Sequence, residues 1–88
     1  MKIIILSPVY LSDEVQQNMH SKLEHIYKAD NSVTQVNVYI TSGETFEANS
    51  ITAELQIKTP DRQIISNQSH RSVERAFDKS LKKVLTRI

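Results

Sequence analysis

The chain has 88 residues with no cysteine, one glycine and two prolines, and its eleven basic and ten acidic side chains leave a formal net charge of +1. This length predicts one small domain over residues 1–88 with a modest core. The lack of cysteine excludes disulfides, cysteine nucleophiles and thiolate metal sites, and fits a cytoplasmic setting. No apolar run approaches the roughly 20 residues that span a bilayer, and the N-terminal residues do not form a secretory leader pattern.

Lys2 to Leu6 (KIIIL) is a short β-branched run, read as a buried strand and ended by Ser7-Pro8. Ser12-Asp13-Glu14 predicts a helix start, with Ser12 as N-cap and two acids against the positive helix end. Val15, Met19, Leu23 and Ile26 then recur at helical spacing, so an amphipathic helix runs to about Lys28. Lys22 falls beside the apolar stripe, where a lysine can snorkel at the rim of a core. Asp30-Asn31-Ser32 is a turn.

Val33 to Thr41 alternates, with Val36, Val38 and Ile40 on one side and Gln35, Asn37 and Tyr39 on the other. Residues 42–50 hold the single glycine and read as a hairpin loop. Ile51 to Thr59 alternates again, placing Ile51, Ala53, Leu55 and Ile57 inward. Pro60-Asp61-Arg62 is a tight turn, followed by a short strand from Gln63 to about Gln68 around Ile64 and Ile65. The order is β-α-β-β-β-α. The last three strands form an antiparallel meander, and the first two strands are parallel if they are neighbours. With both helices on one face of the four-stranded sheet, the fold class is α+β, a two-layer sandwich.

Ser69 to Ile88 closes the chain. On a helical wheel Val73, Phe77, Leu81, Val84, Leu85 and Ile88 gather in one apolar arc. Arg71, Arg75, Lys79, Lys82, Lys83 and Arg87 lie outside it. Ser72 is the N-cap, with Ser69 as its rival. Residues 71–88 carry a net charge of +4 and residues 1–70 a net charge of −3, so the positive charge is concentrated on this one element. Two readings fit such a face. One is an ordinary solvated helix surface; the other is a ridge that contacts a polyanion.

Order and local motifs together resemble the short form of the ribosome hibernation-promoting factors, also described as ribosome-associated inhibitors or sigma-54 modulation proteins. Lys22-Leu23-Glu24 is similar to the family's K-L-E signature, and the strand TQVNVYI follows at nearly the expected distance. Ala76-Phe77-Asp78-Lys79-Ser80-Leu81-Lys82-Lys83 is similar to A-I-D-K-A-I-D-K, after a strand like IISNQ. The resemblance covers essentially the whole chain. It implies a double-stranded-RNA-binding-like fold and a protein that is not an enzyme. It also implies binding to the small ribosomal subunit through ribosomal RNA, with translation blocked in resting or stressed cells. Under the resemblance Lys22, Lys79 and Lys83 match RNA-facing positions and Asp78 matches a conserved acid. Arg71, Arg75, Lys82 and Arg87 join that RNA-binding set from the helical wheel alone. Glu74 stands where the family usually has an aromatic residue, and Lys82 where it has an acid. No cofactor, metal, membrane or small-molecule substrate is expected.

Two other classes bear comparison. An enzyme would draw on His20, His25 and His70, but the five-residue spacing of the first two does not share a helix face, and three surface histidines is the simpler reading. No Gly-rich phosphate loop or nucleophile motif occurs. Nor is there an aromatic platform for single-stranded bases, since Tyr10, Tyr27, Tyr39, Phe46 and Phe77 are scattered and Phe77 reads as core. The second class is a small protein-interaction module without nucleic acid, homodimeric through an exposed edge strand. Its support is the low net charge and the polar strand face of Thr52, Glu54, Gln56 and Lys58.

Overall fold

The computed structural model describes residues 1–42 and 50–88. The expected hairpin loop therefore lies, apart from its end residues, outside the described residues, as does Phe46. Six elements follow in the expected order: β1 (Lys2–Leu6), α1 (Asp13–Ala29), β2 (Gln35–Ser42), β3 (Ile51–Lys58), β4 (Gln63–His70) and α2 (Val73–Leu85). The sheet order is β1-β2-β3-β4, with β1 parallel to β2 and the other neighbours antiparallel. The architecture is the α+β sandwich that the pattern predicts.

Alternation sets the register. Ile3 lies beside Val36, Val36 beside Ile57 and Ile57 beside Ile64. One step along, Ile5, Val38, Leu55 and Ser66 form the next row. A slip of one residue would turn every one of these side chains to the other face. Against this face pack Met19, Leu23 and Ile26 of α1 and Ala76, Phe77, Leu81 and Val84 of α2, all in one cluster. Burying each large aliphatic or aromatic side chain contributes about 1.5–3 kcal/mol.

Local chemistry starts and stops the helices. Ser12 Oγ accepts from the Val15 N–H at 3.2 Å, and Asp13 and Glu14 lie in the first turn of α1. The Asp30 N–H closes that helix on Ile26 O at 2.9 Å and Asp30 itself turns extended. Ser72, not Ser69, caps α2, where its Oγ accepts from the Arg75 N–H at 3.5 Å.

Four details depart from the expectation. β1 is not fully buried: it is an edge strand, its three isoleucines are half-buried and Leu6 is 55% exposed. An unbroken apolar run hides which residues face the helices, and here only Ile3 and Ile5 pack on the core. β4 runs two residues beyond Gln68, to His70. Leu85 lies at the exposed rim of the α2 stripe, while Ala76 and Ser80, which a ranking by hydrophobicity omits, are fully buried. Small side chains there let α2 approach β4 closely, and Ser80 Oγ donates to Ser66 O at 2.9 Å.

Candidate nucleic-acid interface

α2 folds back along β4, and three contacts mark its course. At its start the Ser72 N–H donates to His70 Nδ1 at 3.2 Å. In its middle Ser80 meets Ser66. Past its end Arg87 Nη1 donates to Ile65 O at 2.7 Å. The edge strand β4 therefore has part of its outer backbone covered by the terminal helix.

This packing sorts the charges of α2 by side. Asp78 faces α1, where Lys22 Nζ donates to its Oδ1 at 2.8 Å. Glu74, one turn earlier on the same side, lies in a depression with Tyr10, Leu11 and Val15 at the start of α1. Arg71, just before α2, and Arg75, Lys79, Lys82 and Lys83 on it are exposed, the three lysines beside Gln68 of β4. The ion pairs among the described residues are Lys22 with Asp78 and Arg62 with Asp30, so none of these five is paired there. From Arg75 to Lys83 the row covers about 12 Å of helix axis.

Between this row and β4 lies an open depression of about 380 Å³, lined by Gln68, Lys79, Lys82, Lys83 and Thr86. Two residues beyond Gln68, His70 is half-buried. Its partial burial, followed by the positive charges of Lys79, Arg75 and Arg71, lowers the pKa of its imidazole below the ordinary 6.5. A neutral ring suits its place, because Nδ1 must carry a lone pair to accept from Ser72.

The seven cations that the sequence marks as RNA-facing thus separate into groups. Arg71, Arg75 and Lys79 gather near His70, and Lys79, Lys82 and Lys83 line one depression, so Lys79 links the two groups. Lys22 sits at the α1–α2 seam, with its side chain 45% exposed and its charge engaged by Asp78. This is a rim position, as its place beside the stripe predicts. Arg87 is exposed but tied to the β4 backbone. Sequence reasoning did not single out Gln68 or Thr86, and it read His70 as an ordinary surface histidine. The signal for Gln68 was present: in the alternation Ile64, Ser66, Gln68 a polar amide occupies an inward position. His20 and His25 are exposed on α1, and no cluster of three potential metal ligands occurs among the described residues. Among the same residues no helix is long and apolar enough to cross a membrane.

Compared by sequence, the chain matches no family model and no curated protein. Compared by structure, it is similar along nearly its whole length to proteins whose folds are known. A ribosomal subunit interface protein from Coxiella burnetii superposes with a TM-score of 0.85 at 15% identity, over 99% of this chain and 92% of that one. The N-terminal domain of Protein Y from Thermus thermophilus superposes with a TM-score of 0.80 at 16% identity, over 99% of this chain and 94% of that domain. The chain shares their fold. At this identity few side chains coincide, so the shared feature is the arrangement of two helices on a four-stranded sheet, with the terminal helix lying beside β4.

Proposed function

We propose that this chain binds the small ribosomal subunit through ribosomal RNA and thereby blocks translation in resting or stressed cells, acting in the cytoplasm. The observation that carries the proposal is the row of five exposed cations, Arg71 just before α2 and four on it, none of them in an ion pair among the described residues. The whole-chain likeness to a ribosomal subunit interface protein supports the ribosome as the partner of that row. Helical RNA is recognised mainly by shape and backbone, and a line of lysines and arginines on a rigid helix suits that task without any base-reading motif. The mechanism is steric. A folded domain held in the decoding channel by phosphate contacts excludes messenger and transfer RNA, and needs no chemistry of its own.

The test is co-sedimentation of the purified chain with small ribosomal subunits across a salt series. Near-stoichiometric binding that fades as salt rises is expected, because each neutralised phosphate releases counterions. If the folded chain fails to bind even at low salt, the proposal is wrong. A second reading, a homodimeric interaction module, rests on the exposed Leu6 of the β1 edge. It requires a dimer in solution, and sedimentation velocity of the free chain distinguishes the two.

A further inference from the structure

Gln68 is unusual among the polar side chains of the sheet. Four glutamines lie on the strands. Gln35 donates to Asn37 at 2.7 Å, Gln56 to Glu54 at 2.8 Å and Gln63 to Gln56 at 3.4 Å, so three are held by neighbours on the open face. Gln68 alone belongs to the helix-facing side of the sheet, opposite Ala53. It is half-buried beyond the flank of α2, and its carboxamide joins no hydrogen bond among the described residues. The side chains around it are Lys79, Lys82, Lys83 and Thr86. A neutral residue whose amide has two donors and an acceptor therefore lines the same depression as three lysines.

The chemistry of that depression is divided. Its lysines attract phosphate without regard to the sugar. Its glutamine offers both halves of a hydrogen bond to a hydroxyl, which the ammonium groups cannot do, since they only donate. The carboxamide oxygen can accept from a hydroxyl hydrogen while the amide nitrogen donates to a hydroxyl oxygen. A ribose carries such a hydroxyl next to its phosphate and a deoxyribose does not.

We infer that the α2–β4 groove seats one strand of an RNA backbone, with Lys79, Lys82 and Lys83 on the phosphates and Gln68 on a ribose 2′-hydroxyl. Gln68 is then the residue that separates RNA from other polyanions. This rests on the RNA-binding reading above and adds to it a source of selectivity that charge alone lacks.

The experiment uses the full chain and three probes of one sequence: a short RNA duplex, the same duplex fully 2′-O-methylated, and the DNA duplex. Methylation removes the hydroxyl donor and leaves the helix A-form, so it isolates the ribose contact from helix shape. The wild-type chain is expected to bind the unmodified RNA about 2- to 10-fold more tightly than the methylated RNA, the range for one net hydrogen bond. Gln68→Ala is expected to bind both at the weaker level with an unchanged salt dependence, because no charge is lost. The methylated probe reads the contact on the wild-type chain, so the result does not depend on how well the variant folds. Equal binding of RNA and methylated RNA by the wild type overturns the ribose contact, while salt-dependent RNA binding in the same assay leaves the RNA reading standing. A preference that survives in a folded Gln68→Ala variant also overturns the Gln68 assignment. Failure to bind any of the three duplexes at low salt overturns this inference and the RNA reading together.

Discussion

Replacing Lys79, Lys82 and Lys83 together with alanine puts the proposed interface to a quantitative test. All three are exposed, none is in an ion pair among the described residues, and alanine is the better helix former, so folding stability should move by less than about 0.5 kcal/mol. With Arg71, Arg75 and these three on phosphates, the wild-type logarithmic salt slope should lie near −3.5 to −4.5, at about 0.7–0.9 per contact. Raising salt from about 50 to about 200 mM should then weaken wild-type binding roughly 100- to 500-fold. The variant keeps two contacts, so its slope falls to about −1.4 to −1.8 and the same change costs roughly 7- to 12-fold. Co-sedimentation with small ribosomal subunits at four or five salt concentrations measures both slopes, and circular dichroism checks the fold. A folded variant with the wild-type slope would show that the row is an ordinary solvated helix face.

Other expected outcomes concern the scaffold. Phe77→Ala should destabilise by about 3–5 kcal/mol in urea unfolding, since Phe77 is 1% exposed at the centre of the helix–sheet contact. Ser66 Oγ is buried with no hydrogen-bond partner among the described residues, so Ser66→Ala should be neutral or stabilising, whereas Ser80→Ala removes the bond to Ser66 O and should cost about 1 kcal/mol in the same assay. A double-mutant cycle on Lys22 and Asp78 should give a coupling of at most about 1 kcal/mol, because both side chains are nearly half exposed; a coupling above about 2 kcal/mol would contradict the surface-pair account. His70 takes up a proton less readily in the folded state than in the unfolded chain. Its contribution to stability is thus complete above the ordinary value of 6.5 and declines as the pH falls through it, levelling off below the folded-state pKa. Thermal melts between pH 7.5 and 5.0 should show this decline, and a His70→Gln variant should show less of it.

Much of this architecture is legible from one residue to the next. The alternations Val36-Val38-Ile40 and Ala53-Leu55-Ile57 give both the strands and the face that is buried, because side chains in a strand alternate by geometry alone. Ser12 and Ser72 mark helix starts because an N-cap is a local hydrogen bond. What escapes such reading is non-local. Lys22 and Asp78 lie 56 residues apart, and no periodicity on either helix reveals that they pair. Ala76 and Ser80 are buried for their small size at a close helix–sheet approach, while a wheel weighted by hydrophobicity looks for large apolar groups. Gln68 becomes part of a candidate site only once α2 has folded back beside it. His70 likewise acquires its three positive neighbours only through that turn.

The formal charge of +1 is a poor measure of what an RNA strand would meet. At physiological ionic strength the Debye length is about 8 Å, so charges farther than that from a bound phosphate are largely screened. The relevant charge is that of the α2 surface, where residues 71–88 carry +4 and residues 1–70 only −3 in sum. Two acids, Glu74 and Asp78, share α2 with the cations, but both lie on the flank toward α1, and Asp78 is engaged by Lys22. The helix thus keeps its acids on the exposed flank toward α1 and its unpaired cations on the face beside β4. That division follows from the fold: the face that packs on the sheet must be apolar, the flank against α1 can hold a charge where a lysine meets it, and the remaining flank is left free. A nearly neutral chain can in this way present a strongly positive surface over one helix.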